Sequence, residues 1–275
     1  MSERFVVVTG ASSGIGRTSA LELARRGFRV VLACRSLEKA APVLQEVRRA
    51  SPTGAGELLP LDLASLASVK RFAHDYLDRG WPLHVLLNNA GLAGHRGTTE
   101  DGFEIQFGTN HLGHFLLTDL LLPRLRESAP ARVVFVSSGS HYACKRLDLD
   151  AVRGPTRTLI GLKEYEASKL CNILHARELA RREGPGIATF SLHPGVVDSD
   201  AFRRVPGFIR ALLRLRMITD VEGAKTSVFC ATEPGLESGL FWDECRPKKP
   251  SALALDDALA RALWARSEAW VAPLR

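Results

Sequence analysis

Phe5-Val6-Val7-Val8-Thr9-Gly10-Ala11-Ser12-Ser13-Gly14-Ile15-Gly16 decides the reading of the fold. Its first five residues form an apolar, β-branched run that reads as a buried parallel strand. Glycines follow at 10, 14 and 16. A helical pattern then begins, with Ala20, Leu21, Leu23 and Ala24 on its apolar side and Gly27 at its end. Strand, glycine turn and helix together are the setting a phosphate-binding turn needs. Glycines let the backbone approach a pyrophosphate, and the helix start offers free N–H groups and a positive dipole end. The spacing is G-x-x-x-G-x-G, not the G-x-G-x-x-G of long-chain dinucleotide binders. A glycine-rich connector with no ligand is the alternative.

The next strand spans 29–33. A unit that binds NAD is expected to carry an acid near the end of this strand, for the ribose 2′-hydroxyl. Cys34 and Arg35 stand there instead, and no carboxylate comes before Glu38. Arg17 adds a second cation just past the glycines. Two guanidiniums without an acid fit a 2′-phosphate, hence NADP(H) rather than NAD(H). The alternative is that one or both are solvated surface arginines.

The pattern repeats along the chain. Helix 37–50, a strand end at 58–63, helix 66–77, strand 83–87, a mainly helical 101–125, strand 132–136, helix to about 182 and strand 187–192 follow in turn. Strands alternating with helices predict an α/β fold, a Rossmann-type doubly wound parallel sheet with helices on both faces, in a single domain. Ligands bind such sheets in the crevice at the strands' carboxyl ends. Gly10, Asn88, Ser138 and Pro194 all follow strand ends, so they should converge there. A last short strand is expected at 239–242 and a closing helix at 255–270.

Tyr165 and Lys169 lie four apart, on one face of a helix. A free tyrosine has a pKa of about 10, and a neighbouring ammonium favours its phenolate. The pair is a proton-transfer device. Asn110 interrupts an apolar helix, as a satisfied core amide or a functional group. His111 and His114 lie three apart without a third ligand, which favours packing over metal. The long segment 139–162 before Tyr165 carries little pattern, and long loops inside compact domains are usually functional.

The 275 residues carry a net charge of +7, with the arginines mostly dispersed. Nucleic-acid binding would gather them into a basic cluster with aromatics, so an anionic cofactor is the simpler partner. The exception is 202–218, with five arginines and no acid. From Phe208 on it reads as a basic amphipathic helix, either a substrate lid (within 196–219) or a peripheral contact with an anionic membrane surface. The five cysteines are scattered without metal spacing. With neither a signal-peptide pattern nor a spanning apolar stretch, they indicate reduced thiols and a cytoplasmic setting.

In order, the chain shows Thr9-Gly10-x-x-x-Gly14-Ile15-Gly16, Asn88-Asn89-Ala90-Gly91, Asn110, Ser138, Tyr165-x-x-x-Lys169 and Pro194-Gly195. These motifs resemble the short-chain dehydrogenase/reductase family along nearly the whole chain. The text from Asp101 to Leu117 and from Tyr165 to Leu179 is most similar to the retinol dehydrogenase branch. Light-dependent protochlorophyllide reductases share much of it but carry an insertion not found here.

The resemblance implies that Tyr165 is the acid/base, that Ser138 holds the substrate oxygen, and that Lys169 lowers the tyrosine pKa and bonds the nicotinamide ribose. It implies an Asn110-supported water relay to Lys169. Gly10, Ser12, Ser13, Gly14, Ile15 and Gly16 would wrap the pyrophosphate. Arg17 and Arg35 would take the 2′-phosphate, Asp62 and Leu63 the adenine, and Asn89, Ala90 and Gly91 the adenosine ribose region. Pro194, Gly195, Val197 and Ser199 would hold the nicotinamide. The substrate would be a lipophilic alcohol, aldehyde or ketone. Animal retinol dehydrogenases commonly carry an N-terminal membrane anchor, which is not expected here. Relatives of this type pair as homodimers through the helices containing Asn110 and Tyr165. A catalytically inactive nucleotide-binding scaffold of the same fold is the alternative function.

Overall fold

β1 (Arg4–Thr9) is buried from Phe5 onward and pairs in parallel with β2 (Phe28–Cys34) on one side and β4 (Val85–Asn88) on the other. Those pairings come from a computed structural model that describes residues 3–196 and 218–275. β3 (Glu57–Pro60) lies beyond β2, and β5 (Ala131–Val136), β6 (Ile187–His193), β7 (Phe241–Asp243) and β8 (Arg246–Pro247) follow β4. The sheet order is β3-β2-β1-β4-β5-β6-β7-β8, with only β7 and β8 antiparallel. The order reverses between β1 and β4, so a crevice opens at their carboxyl ends. The last strand expected from the sequence is β7, and the short β8 turns back beside it as an added edge.

Helices α1 (Gly14–Arg25), α2 (Leu37–Ala50), α3 (Leu66–Asp78), α4 (Ile105–Phe107), α5 (Gly113–Glu127), α6 (Leu162–Glu183), α7 (Asp220–Thr232) and α8 (Asp257–Val271) cover both faces. Alternate residues of each strand point to opposite faces, which explains the unbroken apolar runs. Val6, Val8, Val30 and Leu32 pack with Leu23 of α1, Val43 of α2 and Val228 of α7. Phe5, Val7, Val31 and Ala33 belong to the other core, with Val69 and Phe72 of α3, Leu116 of α5 and Leu170 of α6. No described helix is long and apolar enough to cross a membrane.

Two features depart from the plain alternation of strand and helix. Gly108–Leu112, between α4 and α5, is a π-helical turn, where the i→i+5 pattern widens the backbone. α8 lies across α5 and α6: Trp264 packs edge-on against Phe115 and His175, and the His111 ring bonds Ser267. Asp257 pairs with Arg177 and Arg181 of α6, and Arg275 pairs with Asp119 of α5. A homodimer formed through α5 and α6 would meet α8 of the same chain there.

Candidate active site

The strand ends converge on one cavity of about 520 Å³. Its walls include Gly10, Ser12, Ser13, Gly14, Ile15 and Gly16 from the glycine turn. The turn is tight enough to require glycine. Gly10 has φ +66, and a Cβ there would come within 2.9 Å of Ala90. At Gly16 a Cβ would lie 2.4 Å from the Gly10 carbonyl oxygen and 2.5 Å from Asn89 Nδ2. Thr9 ties the two turns together. Its hydroxyl accepts from the Asn89 and Ala90 N–H groups at 2.9 and 3.0 Å, and its carbonyl accepts from Asn89 Nδ2 at 2.8 Å.

Arg35, Lys39, Asp62 and Leu63 line the far end, and Asn89, Ala90 and Gly91 line the middle. Lys39 escaped the reading of the sequence. It lies in the first turn of α2, whose start is capped by Ser36, and the sign to look for was a cation one turn past Arg35. Arg17 is engaged by a carboxylate of the next helix. Its guanidinium meets Glu46 of α2 at 2.6 Å and is not among the cavity-lining residues. The cation pair at this end is therefore Arg35 with Lys39. With the glycine cradle beside them, these residues fit a dinucleotide.

Ser138, Tyr165 and Lys169 meet at the other end. Ser138 follows β5, and its hydroxyl bonds the Tyr165 phenol. Tyr165 and Lys169 lie on the buried side of α6. The Lys169 ammonium donates to the Val136 carbonyl at 2.9 Å and sits 5.7 Å from the centre of the Tyr165 ring. Ser137 fixes this turn of helix by donating to the Lys169 carbonyl at 2.6 Å.

The sequence led us to expect that Lys169 lowers the tyrosine pKa. Here burial wins. It pushes the phenol up to about 12, partly offset by the Ser138 hydrogen bond. It pushes the ammonium down to about 8. A low-dielectric site disfavours the charged form of both groups.

Asn110 does not line the cavity. It stands in the π-turn directly behind it. Its Oδ1 accepts from Leu92 N–H at 2.8 Å, and its Nδ2 donates to the Leu92 carbonyl and to Ser168 Oγ, both at 2.9 Å. A Cβ on Gly91 would come within 3.1 Å of Lys169 Nζ and 3.5 Å of Asn110 Oδ1, so the two side chains share one small space. His111 and His114 are fully enclosed. Nε2 of the first bonds Ser267, and Nε2 of the second bonds Thr9.

Pro194 and Gly195 line the cavity beside Tyr165. Val197, Ser199 and the arginine-rich stretch from Phe202 to Arg216 lie outside the described residues. The segment before α6 is pinned rather than loose. Gln106 accepts from Gly94 N–H at 3.0 Å and donates to the Gly161 and His95 carbonyls at 2.6 and 3.1 Å. Gly161 caps the start of α6 and His95 lines the cavity, so this amide ties the two together. Glutamine inside a helix carries no pattern by itself, which is why the sequence did not reveal this role.

The family model described as short chain dehydrogenase matches residues 4–146. The chain belongs to the short-chain dehydrogenase family. It is an oxidoreductase of the retinol dehydrogenase-like branch. Dehydrogenase/reductase SDR family member 13 of Bos taurus is 45% identical over 276 residues, covering 96% of this chain and 72% of that protein. Retinol dehydrogenase 11 of Homo sapiens is 45% identical over 270 residues, covering 95% and 83%. The crystal structure of an uncharacterized protein from Mycobacterium Paratuberculosis superposes with a TM-score of 0.80 at 35% identity, covering 98% of this short-chain dehydrogenase and 94% of that chain.

Proposed function

We propose that this short-chain dehydrogenase interconverts a lipophilic alcohol and its aldehyde or ketone, using NADP(H). The observation that carries the reading is the meeting of Ser138, Tyr165 and Lys169 in the cavity that the glycine turn and Arg35 also line. The dinucleotide supplies the hydride when bound. The protein positions it and handles the proton.

The glycine turn and the start of α1 take the pyrophosphate, and Arg35 with Lys39 takes the 2′-phosphate. Asp62 and Leu63 flank the adenine, Asn89, Ala90 and Gly91 the adjoining ribose, and Pro194 and Gly195 the nicotinamide. Val197, Ser199 and the lid or membrane contact assigned to 202–218 complete the reading from sequence alone. In reduction, the Tyr165 O–H donates to the carbonyl oxygen while Ser138 holds it. Charge is thus stabilised where it develops. In oxidation, Tyr165 takes that proton back. Lys169 bonds the ribose hydroxyls and favours the phenolate. Asn110 holds the Leu92 backbone and Ser168 beside this pair, a position suited to a water-linked relay.

Two further points concern setting. The likeness to a retinol dehydrogenase supports a lipophilic substrate. A homodimer through α5 and α6 would have to accommodate α8, and the chain acts in the cytoplasm or against a membrane surface. A catalytically inactive scaffold is disfavoured because serine, tyrosine and lysine are all kept and meet.

The direct test follows NADPH and NADH oxidation with a panel of aliphatic, aromatic and isoprenoid aldehydes and ketones. Turnover with NADPH is expected, and Arg35→Ala should reduce the NADPH-over-NADH preference by about tenfold or more. An unchanged preference in that variant would show that the phosphate site is misplaced. Dinucleotide binding with no turnover on the whole panel would favour the scaffold.

A further inference from the structure

His114 does nothing in the chemistry proposed above, yet it is wholly buried at the back of the site. Its ring bridges Thr9, the last residue of β1, and the π-turn that holds Asn110. Nδ1 meets the backbone carbonyl of Asn110 at 3.0 Å, and Nε2 meets Thr9 Oγ1 at 2.9 Å. A carbonyl can only accept, so Nδ1 carries the proton. Burial keeps the ring uncharged, with its pKa down to about 4, so Nε2 is an acceptor. The Thr9 hydroxyl then donates to it at 2.9 Å, with the Leu87 carbonyl a longer second acceptor at 3.4 Å. That leaves the hydroxyl lone pairs for the Asn89 and Ala90 N–H groups, which both point at it.

One directed chain of hydrogen bonds results. It runs from the Asn89-Ala90 turn through Thr9 and the His114 ring to the Asn110 carbonyl. From there the Asn110 amide continues to Ser168, which sits beside Lys169 on α6. The His114 ring reaches back four residues to the Asn110 carbonyl, which belongs to the π-turn Gly108–Leu112. The other imidazole tautomer would set two acceptors, Nδ1 and the Asn110 carbonyl, against each other.

We propose that His114 is a positioning residue that fixes the dinucleotide-side turn against the helix carrying Tyr165 and Lys169, through its Nδ1–H tautomer. The proposal rests on the oxidoreductase reading of the cavity. Nothing about packing volume alone requires a histidine here, whereas the two-sided bonding does.

The test compares His114→Phe with His114→Gln. Phenylalanine keeps a ring and loses both bonds, while glutamine can donate and accept at once. For each folded variant, kcat with the best carbonyl substrate and the NADPH dissociation constant are measured. In His114→Phe we expect kcat to fall on the order of tenfold to a hundredfold, and NADPH to bind several-fold more weakly. His114→Gln should recover most of both losses. Adding His114→Phe to Thr9→Val should weaken NADPH binding no further than Thr9→Val alone, since both break the same chain.

Equal kcat and affinity in His114→Phe and the parent would overturn the proposal, as would a glutamine variant no better than phenylalanine. Should neither variant fold, the ring nitrogens of the parent protein decide by 15N NMR. The Nδ1–H tautomer of His114 supports the chain of bonds, and the Nε2–H tautomer contradicts it. A parent protein that binds no dinucleotide at all would overturn the reading of the cavity, and this proposal with it. Normal parent binding with an unaffected phenylalanine variant would overturn this proposal alone.

Discussion

Tyr165 and Lys169 are both enclosed, and that sets how the chemistry should respond to pH. Burial raises the phenol to about 12 and lowers the ammonium to about 8. Carbonyl reduction needs the protonated phenol, which is present throughout the neutral range. Its rate should therefore be nearly flat between about pH 6 and 8. Alcohol oxidation needs the phenolate, whose small fraction grows about tenfold per pH unit below the phenol pKa. Oxidation should rise with pH. Above about 8 the ammonium loses the charge that favours the phenolate, so the rise should flatten there. Initial rates in both directions check this, and an oxidation rate that falls from pH 6 to 8 would contradict it. At this scale the sequence was legible where a residue type is tied to one task. Ser138, Tyr165, Lys169 and the glycines all reached the cavity. Arg17 was not legible, because its choice of Glu46 depends on how α2 lies beside α1. Nor was the balance between burial and charge at Tyr165, since depth is a property of the fold and not of Y-x-x-x-K.

Elements were read well where one periodicity prevails over several residues. The bounds of α2 agree with the reading, and β1 and β5 begin one residue earlier than expected. The 101–125 region was read as mainly helical, but regular helix begins only at Ile105, and a π-turn precedes α5. Such a turn is an adjustment of one residue in register, and apolar spacing cannot disclose it. Gly113, the first residue of α5, is closely approached. A Cβ there would come within 2.5 Å of the Leu63 carbonyl oxygen, so α5 starts almost in contact with the backbone after β3. Gly113→Ala should destabilise the protein by about 1–3 kcal/mol, because backbone on both sides must move apart. It should also weaken dinucleotide binding, since Leu63 lines the cavity. Urea unfolding and a dinucleotide titration measure the two effects, and an alanine variant unchanged in both would show that the approach is looser than described.

The whole molecule joins two apolar layers to one sheet, and α8 is the part that the sequence placed least well. It was legible as a helix, but not as a cover for α5 and α6. Its contacts combine Trp264 against Phe115 and His175 with the ion pairs of Asp257 at its first residue, and these are long-range in sequence. With that surface covered from within, sedimentation velocity at micromolar concentration should show a single species of about 30.0 kDa. A stable dimer that persists when Trp264 and α8 are intact would show that pairing uses another surface or displaces the helix. Tyr165 is proposed to move the proton in a dinucleotide-dependent reaction. The measurement that tests it most directly is NADPH-linked turnover of Tyr165→Phe, read beside its NADPH dissociation constant. Turnover should fall by at least about a hundredfold while the dissociation constant stays within about threefold. Turnover close to that of the parent protein would contradict it.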